Sequence, residues 1–168
     1  MWKFKPILKT TIWGGDRIAP FKGIQTDLDL VGESWELSGV EGDVSVVADG
    51  PEQGMTLTDL LSKYGAAILG ERNFKKFGTR FPLLIKFIDA RQDLSVQVHP
   101  DDEMSHRQGQ ANGKTEMWYV VDAAPGAKLA NGFREAVDPA DYERLVETGD
   151  IEKVLNFCDI KPGDVYFI

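Results

Sequence analysis

Leu94-Ser95-Val96-Gln97-Val98-His99-Pro100-Asp101-Asp102-Glu103 is the stretch whose reading decides the fold. Apolar and polar residues alternate through its first six positions, and alternate side chains of a β-strand share a face. The pattern predicts a strand over 94–99, with Leu94, Val96 and Val98 in a packed layer and Ser95, Gln97 and His99 on the other side. A polar face turned into a barrel interior is costly unless it binds something. Gln97 and His99 therefore read as paired ligands or hydrogen-bonders. Pro100 ends the strand, and Asp101, Asp102 and Glu103 read as a solvated acidic turn.

Outward from this stretch the chain reads as many short strands. Residues 32–38, 43–47, 82–89, 116–121 and 165–168 are candidates, punctuated by glycines and prolines. Two helical regions interrupt them. Residues 56–69 carry Leu57, Leu60, Leu61, Tyr64 and Ile68 near helical spacing, with Thr56 and Asp59 as a capping box and Gly70 as the stop. Asp138-Pro139 opens the second region, which continues after Gly149-Asp150 as a shorter helix with Ile151, Val154 and Leu155. Asn131-Gly132 is a turn signal. The set predicts a mainly β chain, a sandwich or barrel carrying helical insertions.

Gly113-Lys114-Thr115-Glu116-Met117-Trp118-Tyr119 is the second informative segment. Alternation places Lys114 and Glu116 on one face. Beside the first strand, Glu116 adds a carboxylate to an imidazole and an amide, a nitrogen and oxygen donor set that suits Zn²⁺ or a similar ion. An amide oxygen is an uncommon zinc ligand. The same residues admit plainer roles: His99 as a histidine with one hydrogen-bond partner, Glu116 as a solvated strand-entry residue, Lys114 as a stem covering apolar surface. His106 reads as an exposed residue of a polar loop over 105–112, and Trp13, Trp35 and Trp118 as core.

The chain has 168 residues, enough for one domain with its own core. Its 19 Lys+Arg and 27 Asp+Glu give a net charge of −8, which excludes nonspecific attraction to nucleic acid. Cys158 is the single cysteine, so an internal disulfide and a thiolate metal cluster are excluded. No segment has signal-peptide or membrane-spanning character, and a cytoplasmic protein is expected.

Five blocks, in order, give the sequence a family likeness: Ile12-Trp13-Gly14-Gly15, Gly32-Glu33-Ser34-Trp35-Glu36-Leu37-Ser38, Pro82-Leu83-Leu84-Ile85-Lys86-Phe87-Ile88, the Gln97-Val98-His99-Pro100 strand, and Lys114-Thr115-Glu116-Met117-Trp118-Tyr119. Across almost its whole length the chain resembles the type I mannose-6-phosphate isomerases (phosphomannose isomerases) of the short bacterial kind. The resemblance implies a cupin, a jelly-roll β-barrel, that interconverts mannose 6-phosphate and fructose 6-phosphate through a cis-enediol. It implies one Zn²⁺ per chain, held by Gln97, His99, Glu116 and a later histidine. Lys114 is the candidate for proton transfer or oxyanion stabilisation, and Trp13, Lys86 and Ser95 are candidates for substrate binding. Pro162-Gly163-Asp164-Val165-Tyr166-Phe167-Ile168 matches the start of a cupin motif whose histidine is not in the chain. The expectation is therefore a single cupin-type domain over 1–168, the N-terminal portion of such an enzyme with an incomplete barrel, prone to self-association along 165–168. The competing expectation is a non-catalytic cupin module that binds a sugar or a metal.

Overall fold

A computed structural model describes residues 1–109 and 112–168, and in it the chain separates into two units, Met1–Ser95 and Val96–Ile168. In the first, β1 (Ile7–Gly15), β2 (Val31–Ser38) and β3 (Leu84–Ile88) form an antiparallel sheet in that order. A short helix, α1 (Ile18–Lys22), connects β1 to β2. The sheet closes tightly at Gly32, where a Cβ would lie 2.0 Å from Thr11 Oγ1 and 2.8 Å from the Trp13 ring. Only glycine lets Trp13 lie across this strand.

Thr56 starts α2 (Leu57–Tyr64) as expected. Its hydroxyl accepts from the Asp59 N–H at 3.1 Å, and the Asp59 carboxylate accepts from the Thr56 N–H at 3.0 Å. The helix buries Leu57, Leu60 and Leu61, each contributing about 1.5–3 kcal/mol by leaving water. The predicted single helix is corrected. It stops at Gly65, where φ is 43°, and α3 (Ala66–Phe77) follows, itself interrupted at Gly70, where φ is 75°. The apolar spacing runs on through Gly65 because side-chain periodicity does not register a backbone of positive φ, whereas the expected stop at Gly70 coincides with the interruption there. The predicted strand over 43–47 is reduced to isolated bridges, Phe4 with Val47 and Val46 with Thr56, because its backbone hydrogen bonds are divided between Lys3 and Lys5 on one side and Gly54, Met55 and Leu57 on the other.

The second unit holds α4 (Asp102–Arg107), β4 (Met117–Tyr119), β5 (Lys128–Phe133), α5 (Pro139–Glu147), β6 (Leu155–Asp159) and β7 (Val165–Phe167). β4 pairs with β7 and β5 with β6, both antiparallel. Asp138 caps α5 as expected, accepting from the N–H groups of Ala140 and Asp141 at 2.9 and 3.0 Å. Several expectations are corrected here. Residues 94–99 join no strand, and Val96 and Val98 are 50% and 67% exposed rather than packed. Alternation offers a face, but a strand also needs a ladder partner, and this segment has none among the described residues. Asp101 to Glu103 are the start of α4, not a turn: Asp101 accepts from the Met104 N–H at 2.8 Å. His106 is exposed but lies on that helix rather than in a loop, and Gln110 and Ala111 of the predicted loop lie outside the described residues. Asn131-Gly132 forms a bulge within β5, with φ 70° at Gly132, instead of a reversal. Ile151–Val154 is a single 3-10 turn, and Leu155 opens β6.

The architecture is one of small antiparallel sheets, with helices taking about as many residues as strands, more helix than a mainly β chain was expected to carry. Among the described residues no helix is long and apolar enough to cross a membrane.

The N-terminal segment is tied to α2 by Glu52. Its carboxylate accepts from the Tyr64 hydroxyl at 2.5 Å and the Trp2 indole N–H at 3.3 Å, with the two rings 5.3 Å apart. The Tyr64 hydroxyl first, then the Trp2 indole, hold Glu52 below its ordinary value of 4.5. A depressed carboxyl contributes stability above its unfolded pKa and loses it as pH falls through the folded one. Urea midpoints of the native chain should therefore fall between about pH 6 and about pH 3 more steeply than those of Glu52→Gln, which starts lower at pH 6. Parallel falls would show that Glu52 is not part of the acid sensitivity.

Candidate metal centre

Two chain segments of the second unit are fastened together by backbone contacts. The Lys114 N–H donates to the Pro100 carbonyl at 2.9 Å, and the Gly113 N–H donates to the Asp102 carboxylate at 2.8 Å. Gly113 is required by proximity: a Cβ there would lie 2.6 Å from the Asp101 carbonyl carbon and 2.7 Å from both Asp102 N and Pro100 O. On the far side, Glu116 extends the β4–β7 ladder, exchanging backbone hydrogen bonds with Ile168 at 3.4 and 3.0 Å. The start of β4 is thus held between the His99-Pro100 segment and β7.

This fastening brings Gln97, His99, Lys114 and Glu116 together. Lys114 Nζ lies 3.3 Å from Gln97 Oε1 and 3.5 Å from Glu116 Oε1. His99 Nε2 lies 3.2 Å from Glu116 Oε2. That approach lacks hydrogen-bond geometry, and both ring nitrogens of His99 are buried with no hydrogen-bond partner among the described residues. The His99 and Glu116 side chains are 11% and 19% exposed, whereas Lys114 is half exposed. The predicted shared face of Lys114 and Glu116 is present. Gln97 and His99 reach the cluster from an irregular segment instead of the strand expected of them.

His99 and Glu116 have the chemistry and spacing of two ligands to one ion. A buried imidazole with two unsatisfied nitrogens is costly unless something takes up a lone pair. With zinc–ligand distances of about 2.0–2.1 Å, two ligands on one ion stand roughly 3–3.4 Å apart, and the His99–Glu116 separation of 3.2 Å falls in that range. Among the described residues no group of three His, Cys, Asp or Glu side chains could hold a metal. The candidate donor set therefore depends on the Gln97 amide.

Trp13, Lys86 and Ser95 belong to the first unit. Trp13 lies over Gly32. Lys86 is paired with Glu33, Nζ to Oε1 2.8 Å, and Ser95 is exposed. Sequence reasoning missed three contributors to the cluster. Gly113 and Asp102 act through chain packing, which leaves no composition signal. Trp118, read as core, is half-buried and donates its indole N–H to Glu116 Oε2 at 2.9 Å. The alternation that joins Lys114 to Glu116 extends two residues to Trp118 and could have found it.

The sequence profile of "Phosphomannose isomerase type I, catalytic domain" matches residues 1–139. Mannose-6-phosphate isomerase ManA of Bacillus subtilis is 37% identical over 167 residues, 98% of this chain and 50% of that protein. Mannose-6-phosphate isomerase of Streptococcus mutans is 33% identical over 157 residues, 94% of this chain and 48% of that protein. The crystal structure of mannose 6-phosphate isomerase from Bacillus subtilis superposes with a TM-score of 0.88 at 33% identity, covering 99% of this chain and 52% of that one. The chain spans about half the length of the curated relatives it matches.

Gly113→Ala must push the Lys114 backbone away from Pro100, at a cost of about 1–3 kcal/mol. Chemical denaturation should register that loss. An unchanged midpoint would mean the close approach at Gly113 does not fasten the two segments.

Proposed function

Because the chain belongs to the type I phosphomannose isomerase family, we propose that it carries the metal-binding part of a sugar-phosphate isomerase that interconverts mannose 6-phosphate and fructose 6-phosphate. The observation that carries this reading is the buried His99 imidazole, unsatisfied at both nitrogens and 3.2 Å from a carboxylate oxygen. Gln97, His99 and Glu116 are the proposed donors to one Zn²⁺, in a fold of cupin type. Glu116 brings the single negative charge of this set, and Gln97 and His99 are neutral donors. When bound, the ion polarises a sugar carbonyl and stabilises negative charge developing on its oxygen.

Aldose–ketose isomerisation moves a proton between C1 and C2 through a cis-enediol, which requires an acid–base group close to the carbon acid. Lys114 is the proposed group. Its Nζ stands against the amide and carboxylate oxygens of two proposed donors, and half of the side chain is open to an incoming substrate. In this reading the ammonium holds the developing oxyanion or carries the proton.

Zinc content of the purified chain tests the donors: one equivalent is expected, with His99→Ala binding at least about tenfold more weakly. Equal uptake by both would remove Gln97, His99 and Glu116 as ligands. Turnover of mannose 6-phosphate by the zinc-loaded chain, followed in a coupled assay, tests the chemistry. In a full-length isomerase carrying this sequence, Lys114→Met should lower turnover by about 10²–10⁴-fold with no change in unfolding midpoint. Zinc binding with no turnover would favour a sugar- or metal-binding module.

A further inference from the structure

A ligating carboxylate is only as well placed as its last torsion, and that torsion in glutamate is broad and intrinsically loose. Glu116 has both oxygens engaged. Oε1 faces Lys114 at 3.5 Å, while Oε2 lies 3.2 Å from His99 Nε2 and accepts from Trp118 Nε1 at 2.9 Å. We propose that Trp118 is a positioning residue, whose indole N–H fixes the Glu116 carboxylate so that Oε2 keeps a lone pair turned toward the point that His99 also faces. This rests on the metal-binding reading above.

The indole suits the task for three reasons. It is a donor only, so it orients the carboxylate without competing for the ion. It is uncharged, so it does not repel a cation as a lysine does. Its ring is rigid, and its backbone is pinned in the ladder opposite Tyr166. A hydrogen bond from outside the ligand set commonly sets ligand orientation and metal affinity. The same local device occurs in the first unit. Trp35 Nε1 donates to Glu33 Oε2 at 2.7 Å across the same two-residue spacing, and Lys86 takes the other oxygen at 2.8 Å. Glu-x-Trp on a strand thus forms the clamp through alternation alone, and at Glu116 the clamped oxygen faces an unsatisfied imidazole.

The test is a titration of the whole chain with zinc against a chromophoric chelator. Trp118→Phe keeps the ring and removes the donor, and should weaken zinc binding about 10- to 100-fold. In a Glu116→Gln background the same substitution should change affinity less than about twofold, because the indole acts through that carboxylate. A general packing defect would weaken binding equally in both backgrounds and overturn the proposal, as would unchanged affinity for Trp118→Phe alone. Native chain that binds no zinc overturns this proposal and the metal-binding reading together. Native binding with an unaffected Trp118→Phe overturns only the role of Trp118. Should Trp118→Phe not fold, the nitrogen-15 spectrum of the native chain decides, since four tryptophans give four indole signals. The one displaced by Glu116→Gln should also move when zinc is added to the native chain, and a zinc-bound chain in which it stays still overturns the proposal.

Discussion

Glu116 keeps a carboxylate where four-fifths of its side chain is withdrawn from water. Taking a charge out of water is expensive, and the cost is offset only if nearby groups replace the lost hydration. Here the Lys114 ammonium faces one oxygen and the Trp118 indole N–H donates to the other. Take away the carboxylate and each loses its reason to be there. Lys114 keeps its contact with the Gln97 amide but loses its ion pair, and Trp118 loses the acceptor for its single donor.

That carboxylate stands where it does because the backbone around it is held from two sides. Pro100 and Asp102 fasten the residues before it, and Ile168 fastens Glu116 itself. Gln97 and His99 lie on a segment that joins no ladder among the described residues, and the chain just after them, Pro100 to Asp102, is the part held against Gly113. The more regular parts of this unit, the β4–β7 and β5–β6 pairs, provide a frame, while the side chains with chemistry sit at its irregular edge. Binding residues are commonly distributed in this way, on connecting segments carried by a stiffer scaffold.

Features set by adjacent residues were legible in the sequence. Thr56 with Asp59, and Asp138 with Pro139, announce helix starts because caps are local hydrogen bonds. The face shared by Lys114 and Glu116 follows from alternation alone. What escaped depended on distant partners or on backbone sign. The 94–99 segment alternates like a strand yet joins no β-ladder among the described residues. Gly65 ends a helix whose apolar spacing continues past it, and Gly132 forms a bulge where a reversal was expected. In each case the deciding fact is a pairing or a left-handed φ that neighbouring side chains do not encode. The metal-type donors were recognisable, and alternation puts Trp118 on the Glu116 face, but whether a tryptophan there donates or only fills space is not written in one dimension.

The pairing of Glu116 with Trp118 has a corollary for how this segment can change over time. Because the clamp depends on side chains two positions apart, one inserted or deleted residue between them would turn the ring to the opposite face of the strand and set the carboxylate adrift. Met117, the residue enclosed by the pair, is 65% exposed and bears none of that constraint. Drift in identity is open to it, while the spacing around it is fixed, so length rather than composition is what descent must preserve here.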